Sequence, residues 1–260
     1  MWDRAILKEN AKMALSGGRY WTAYAVCVIS SLIVGCFGVV MGFFQTKPYS
    51  VAMNADPYES SIYTAQMLAP WKWVWFPNLL LIIFVALPLT VGISRFFVRN
   101  RFGETKLETM FSCFRSGYAS ATGAMFTTTL FNFLWFFALI IPGYIKAMEY
   151  SMVPFILSDN PSIPGDRARQ ISRIMTNGEK GAIFVLYLSF LGWYLLAGLA
   201  AGILSDLFWP VSGLAYVAIT PFVTAYQEAT FAELYIFLRD RAIRSGMVNP
   251  IELGLAPSAV

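Results

Sequence analysis

Residues 118–141 read YASATGAMFTTTLFNFLWFFALII and contain no Asp, Glu, Lys or Arg. A bilayer has a hydrocarbon core about 30 Å thick, so an uninterrupted apolar helix of about 20 residues can cross it. The composition of the whole 260-residue chain agrees, with 57% hydrophobic and 13% charged residues. An ordinary soluble domain has about 25% charged residues. The sequence therefore predicts an all-α membrane protein.

Other segments of the same kind divide the chain into six predicted transmembrane helices. One of them, residues 144–158, is short and contains Lys146 and Glu149, and we place a turn at Pro142-Gly143 before it. All six belong to one polytopic domain that covers residues 1–260. The predicted spans are residues 20–44, 73–94, 118–141, 144–158, 181–203 and 211–238.

The positions of the basic residues support six spans. Of the 19 Lys and Arg residues, 16 lie in residues 1–19, 95–117, 159–180 and the tail from residue 239, which six spans place on one side. Cytoplasmic loops carry an excess of Lys and Arg. The sequence therefore predicts a multi-pass protein of the cell membrane with both termini in the cytoplasm. Without the short span, the basic residues of 159–180 would lie outside.

An internal threefold repeat is predicted from the glycines that precede the outward spans, Gly18, Gly117 and Gly178. Before each glycine, about a dozen residues mix charged with apolar side chains, which predicts cytoplasmic amphipathic helices. Three helical hairpins would then be related by a pseudo-threefold axis along the membrane normal. Chance is the alternative, since Gly and Pro are common in membrane helices. The predicted repeats cover residues 1–102, 103–164 and 165–245.

Each returning span also contains a proline, and a charged residue follows that proline by seven positions. Helix kinks are predicted at the prolines because each removes a backbone donor. The prolines are Pro88, Pro142 and Pro221, and the charged residues are Arg95, Glu149 and Glu228.

Two glycine pairs with a spacing of four predict close helix packing, because small residues let backbones approach. Gly38 and Gly42 lie in the first outward span, and Gly198 and Gly202 occupy the equivalent positions of the third. The middle repeat lacks this pair.

Charged residues inside the spans predict an intramembrane polar cluster of Arg95, Lys146, Glu149 and Glu228. Each costs free energy in hydrocarbon, so these side chains should face the bundle interior. Lys146 and Glu149 are three residues apart and can pair on one helix face. The cluster is either a path for an ion or substrate or a buried network that fixes packing, and we favour the network.

Several functions are excluded or disfavoured by residues that the sequence lacks. There is no histidine, which excludes Ser-His and Cys-His nucleophiles and zincin-type metal helices. The cysteines, Cys27, Cys36 and Cys113, have no metal-ligand spacing and are interpreted as small buried residues. No nucleotide-binding motif or basic, aromatic-rich external face occurs. We therefore predict no catalytic, cofactor-binding or metal-binding residue, no cofactor and no nucleic-acid partner.

From residue 141 onward, several short motifs follow one another: IPG at 141–143, YSM at 150–152, ILSDNP at 156–161, NG at 177–178 and LSFLGW at 188–193. In this order they resemble an uncharacterised bacterial integral-membrane family, catalogued as domain of unknown function 975. The sequence departs from the family at Pro221-Phe222, where Pro-Tyr is usual, and in the last span. The resemblance implies a bacterial cytoplasmic-membrane protein of several helices and brings no activity, cofactor or site.

Three classes of function remain open. The favoured one is a non-enzymatic membrane protein that binds membrane lipid or a partner protein, including a second copy of itself. The alternative is a small-solute or ion transporter or channel with a path along the repeat axis. An intramembrane enzyme that uses the acidic residues is the least favoured. A continuous polar cavity at Glu149 and Glu228 would favour transport, whereas a tightly packed axis would favour binding.

Overall fold

The computed structural model describes residues 2–34, 76–207 and 212–255, and within these ranges all regular secondary structure is helical. Short 3₁₀ helices lie at Leu107–Phe111 and Pro250–Leu253. The α-helices are α1 (Arg4–Ala14), α2 (Arg19–Val34), α3 (Phe76–Arg101), α4 (Ser112–Arg115), α5 (Tyr118–Ala138), α6 (Ile140–Glu149), α7 (Val153–Asp159), α8 (Gly165–Thr176), α9 (Lys180–Leu207) and α10 (Ser212–Arg244).

Two of the described helices are long and apolar enough to cross a membrane, Phe76–Arg101 and Lys180–Leu204. Only 28% and 22% of their most apolar windows are buried within the protein. A core helix of a soluble protein would be mostly buried, so these helices direct apolar surface outward. Six spans were predicted from the sequence. Among the described residues, two helices qualify as candidate spans by length and composition.

The chain turns at Leu139 and not at the predicted Pro142-Gly143. Leu139 has an extended backbone between α5 and α6, and Pro142 lies in the first turn of α6. A proline is tolerated there because the first N–H groups of a helix have no acceptor within it. Pro142 therefore begins a helix and does not kink one. At Gly143, a Cβ atom would lie 2.6 Å from Cδ1 of Phe136, so the glycine lets α6 fold back against α5.

The short span predicted for residues 144–158 forms parts of two helices, α6 and α7, separated by a turn at residues 150–152. Pro154 lies in the first turn of α7 and has no N–H to donate to the carbonyl of Tyr150. Helix α6 has ten residues and is about 15 Å long, which is half the thickness of the hydrocarbon core. The turn ends α6 at Glu149, whose carbonyl accepts a hydrogen bond of 2.6 Å from Ser172 Oγ of α8.

Pro88 and Pro221 lie inside long helices, as predicted from their positions in the returning spans. Pro88 follows a π-helical turn at Ile82–Ala86. Pro88 has no N–H to donate to the carbonyl of Phe84, four residues earlier. That carbonyl instead accepts a hydrogen bond of 2.7 Å from Tyr118 Oη. Beside Pro221, Tyr24 Oη donates to the carbonyl of Ala218 at 2.8 Å. Tyrosine hydroxyls from neighbouring helices thus satisfy carbonyls near both prolines.

The glycines that precede the outward spans share one backbone conformation. Gly18, Gly117 and Gly178 have φ angles of 86°, 73° and 78°, and a helix begins one or two residues after each. This left-handed conformation is accessible to glycine at little cost. At Gly117, a Cβ atom would also lie 2.5 Å from Cβ of Pro161.

Amphipathic helices precede two of these glycines. Helix α1 buries Leu7, Ala11 and Ala14, and α8 buries Ile171 and Met175 among others. Helix α1 packs on α10, and α8 packs on α5, α7 and α10, so their apolar faces contact protein. At the middle position the chain forms only the 3₁₀ helix and α4, which are too short for an amphipathic helix of the predicted length.

Helix α3 lies at the centre of the described bundle and packs against α1, α5, α7 and α10, while α9 packs along α10. Its buried face includes Phe96 and Phe97. At Gly92, a Cβ atom would lie 1.8 Å from the carbonyl oxygen of Met110, so the 3₁₀ helix packs directly on the α3 backbone. Burial of these large side chains stabilises the bundle.

The predicted close packing at Gly198 and Gly202 is not found between described helices. No described heavy atom lies within 4 Å of the Cβ position at Gly198, and the nearest to Gly202 is Tyr216 Oη at 4.0 Å. Leu195 and Leu199 nearby are mostly exposed. This face of α9 therefore points away from the described bundle. Gly38, Gly42 and Cys36 lie outside the described residues, whereas Cys27 and Cys113 are buried free thiols.

Candidate functional site

Glu149 lies at the junction of three helices and is 2% exposed. Its carboxylate accepts hydrogen bonds from Lys146 Nζ at 3.1 Å and from Lys180 Nζ at 2.9 Å. Arg173 Nε donates to the same carboxylate, and this interaction raises the pKa of Arg173. One buried acid thus holds together cations from α6, α8 and α9.

The Lys146–Glu149 contact matches the predicted pair, but Arg173 and Lys180 were interpreted from the sequence only as topology signals. They lie 24 and 31 residues from Glu149. No spacing rule relates residues on different helices, so the sequence had no signal for this part of the cluster. Since all the groups are engaged with one another, the Glu149 cluster is suited to fixing helix packing.

Asp159, which was noted from the sequence only as part of the motif at residues 156–161, forms a second buried cluster. Its carboxylate accepts hydrogen bonds from Tyr235 Oη at 2.7 Å and Arg239 Nη1 at 3.1 Å. Arg95 forms no hydrogen bond or ion pair with Asp159 or with any other described residue.

The predicted four-residue cluster is therefore divided. Lys146 and Glu149 lie together, whereas neither Arg95 nor Glu228 forms a hydrogen bond or ion pair within the part of the chain that the structure describes. Glu233, also in α10, pairs with Arg101 of α3. The predicted repeat relates these residues by their positions in the sequence. The rotation of each helix about its own axis, however, points their side chains in different directions.

A cavity of about 210 Å³ surrounds the Glu228 side chain, and we name it the axial cavity. The three returning segments of the predicted repeat all contribute to its wall: α3, the α6–α7 turn region and α10. Met125 and Tyr187 come from outward helices. The polar side chains in the wall are Thr90, Ser94, Ser151, Gln227 and Glu228.

A larger cavity, of about 690 Å³, lies between α1 and the pair α9–α10, and we name it the basic groove. Lys8 and Lys12 lie on one side, one helical turn apart. Burial lowers the pKa of Lys8, and Arg4 and Lys12 act in the same direction. No carboxylate lines the basic groove, and neither lysine forms an ion pair with a described residue. Its other lining residues are Leu15, Tyr20, Trp193, Phe222, Val223 and Tyr226.

The basic groove combines two unpaired ammonium groups with an apolar, aromatic wall. Trp193 is 58% exposed, and the Tyr20 and Phe222 rings stack with centroids 6.4 Å apart. Lys8 Nζ lies 4.7 Å from the centroid of the Phe190 ring, and its backbone carbonyl accepts a hydrogen bond from Tyr226 Oη. Such a site is complementary to a molecule with an anionic group and an apolar part.

These features define an all-helical protein with two candidate membrane-spanning helices, a basic groove and an axial cavity. The family described as "Protein of unknown function (DUF975)" matches residues 74–241, and the chain belongs to this family. The match confirms the resemblance seen in the motifs between residues 141 and 193. No curated protein and no solved structure matches the chain significantly. Among the described residues, no group of three His, Cys, Asp or Glu side chains could hold a metal ion.

Proposed function

We propose that this protein is a non-enzymatic, polytopic membrane protein that binds an acidic lipid in the basic groove. The observation that carries the proposal is the position of Lys8 and Lys12 beside an apolar wall, with no carboxylate among the described residues that line the groove. The phosphate of an acidic lipid would pair with the two ammonium groups, and an acyl chain would lie along Trp193 and Phe222. Each lysine near an anionic lipid surface contributes about 1 kcal/mol to binding.

The proposed topology has six membrane crossings and cytoplasmic termini in a bacterial cytoplasmic membrane. In this topology, α6 and α7 together form the fourth crossing, since the 20 residues of 140–159 comprise two consecutive helices and the short turn between them. The one-sided distribution of 16 basic residues supports this arrangement. It places α1 and the basic groove at the cytoplasmic leaflet, where acidic lipids are concentrated.

A threefold repeat is part of the same proposal. The left-handed glycines before α2, α5 and α9 support it, and so does the axial cavity, to which all three returning segments contribute. The departures are the missing amphipathic helix of the middle repeat and the break between α6 and α7. In this view, the middle hairpin has diverged in its details while keeping its place around the axis.

Lipid binding is tested by thermal unfolding of the purified, delipidated chain in detergent, with phosphatidylglycerol or phosphatidylcholine added. The acidic lipid is expected to raise the unfolding midpoint more, because a ligand of the native state stabilises it. The double substitution Lys8→Gln/Lys12→Gln should remove most of this difference. Lys106→Gln is the matched control, since Lys106 is exposed, forms no ion pair with a described residue and lies away from the groove. Equal loss in both variants would contradict a site in the basic groove.

Transport is the second candidate function, and the axial cavity is the observation that favours it. An unpaired carboxylate in a cavity on a repeat axis is typical of a site through which a solute passes. Flux through proteoliposomes that depends on Glu228 would support this function. Catalysis by the acidic residues is not part of this proposal.

A further inference from the structure

Among the residues that the structure describes, the Glu228 carboxylate lacks a compensating charge. No described Lys or Arg lines the axial cavity, and no described donor forms a hydrogen bond with the carboxylate. This differs from Glu149, which has three cationic partners, and from Asp159, which has Arg239. An ionised carboxylate in a confined site is strongly favoured by a cationic partner. The cavity is therefore matched to a ligand that carries one positive charge.

The wall of the cavity identifies the kind of cation. A hard metal cation needs several oxygen ligands at short distance. Glu228 is the one charged group among the described residues of the wall, and the other oxygen atoms of its side chains belong to neutral hydroxyl and amide groups. Most of the remaining wall is apolar. Such a wall provides few oxygen ligands to replace the water molecules that coordinate a metal ion in solution.

Aromatic rings also line the cavity. Tyr187 and Phe231 pack with their ring centroids 4.2 Å apart, and Phe155 is a third aromatic residue of the wall. Aromatic faces attract organic ammonium groups, which are weakly hydrated and bring apolar surface of their own. A volume of about 210 Å³ admits a molecule smaller than a typical drug-sized ligand.

From this geometry we propose that the axial cavity binds a small organic ammonium cation, with Glu228 as its counter-charge and Tyr187 and Phe231 as its aromatic wall. This site is separate from the basic groove. It prefers a cationic ligand, whereas the basic groove is proposed to bind an anionic one. It depends neither on lipid binding in the groove nor on a continuous path across the membrane.

The test uses the purified full chain in detergent and choline as the probe. Thermal unfolding is measured with choline chloride, with sodium chloride at the same concentration, and with dimethylbutanol, the uncharged carbon analogue of choline. Choline alone is expected to raise the unfolding midpoint in a saturable manner. Equilibrium binding of labelled choline then gives the dissociation constant.

Two substitutions address the proposed contacts. Glu228→Gln keeps the size of the side chain and removes its charge, and we expect choline affinity to fall at least about tenfold. Tyr187→Leu removes one aromatic face and should weaken choline binding about fivefold, with the dimethylbutanol result unchanged. Glu108→Gln is the control, because Glu108 is exposed and distant from the cavity, and it should leave choline binding unchanged.

Three results would overturn the proposal: equal stabilisation by sodium, equal stabilisation by dimethylbutanol, or no binding of choline. The first indicates a metal-cation site and the second an uncharged apolar pocket. If Glu228→Gln does not fold, the ligand series and Tyr187→Leu still decide the question. Retention of choline binding by Lys8→Gln/Lys12→Gln is expected, and its loss would assign choline to the basic groove and reject the axial site.

Discussion

Single carboxylates in this protein have very different surroundings, and these surroundings decide their roles. Glu149 is almost completely buried, and its partners Lys146, Arg173 and Lys180 are 22%, 58% and 32% exposed. The outer parts of the cations are therefore exposed at the protein surface, while the acid holds their inner ends. A buried acid with satisfied hydrogen bonds joins helices without being available to a ligand.

Glu149→Gln is predicted to destabilise the protein by about 2 kcal/mol, because three cations would then converge on a neutral amide. The effect is smaller than for a fully buried ion pair, since the cations can move toward water. Unfolding in detergent at increasing denaturant concentration measures the change. The control is Glu108→Gln, whose partner Arg115 is 3.8 Å away in an exposed pair, and it should change stability by less than about 0.5 kcal/mol. Equal effects of both substitutions would assign Glu149 to a solvated surface.

Among the helices, close packing occurs where a turn or a helix end meets another backbone. At Gly165, the first residue of α8, a Cβ atom would lie 2.9 Å from Cα of Ala124 in α5. Gly92 and Gly143 are comparably crowded. In contrast, the glycine pair with the usual packing spacing in α9 faces open space among the described residues. Spacing alone thus selects the wrong glycines, because it takes no account of which face meets a neighbour.

Gly165→Leu is therefore predicted to lower the unfolding midpoint strongly, since the larger side chain would separate α8 from α5. Gly198→Leu should leave the midpoint of the monomer nearly unchanged or slightly raised, because Gly in a helix interior is unfavourable. Both variants are compared with the unmodified chain by thermal unfolding in the same detergent. A large decrease for Gly198→Leu would show that another segment or another copy packs on that face of α9.

For the whole molecule, the proposed topology gives a direct prediction. In a chain without Cys27, Cys36 and Cys113, a cysteine introduced at Asp56 should react with a membrane-impermeant reagent added outside intact cells. A cysteine introduced at Asp166 should react only after the membrane is permeabilised, because residues 159–180 are proposed to be cytoplasmic. External labelling at position 166 would mean that α6 and α7 do not form a crossing.

Much of the helical architecture could be predicted from the sequence, because apolar length and glycine or proline positions act locally. The apolar segments at residues 118–141 and 181–203 form the helices α5 and α9, and Gly117 and Gly178 precede them as predicted. Of these two helices, α9 is a candidate span by length and composition. The turn between α5 and α6 was misplaced by three residues. Proline is compatible both with a loop between two helices and with the first turn of a helix. Only the packing of Gly143 on Phe136 decides between these two positions for Pro142.

The sequence by itself determined the all-helical class, through composition and apolar length, and the family, through the ordered motifs between residues 141 and 193. The tertiary structure alone decided which charges meet: Glu149 with Arg173 and Lys180, Asp159 with Arg239, and Glu228 with none among the described residues. It also brought Lys8 and Lys12 to the aromatic wall of the basic groove. The physical reason is that helix formation depends on residues within one or two turns, whereas ion pairing and cavities depend on the rotation and docking of helices that are distant in sequence.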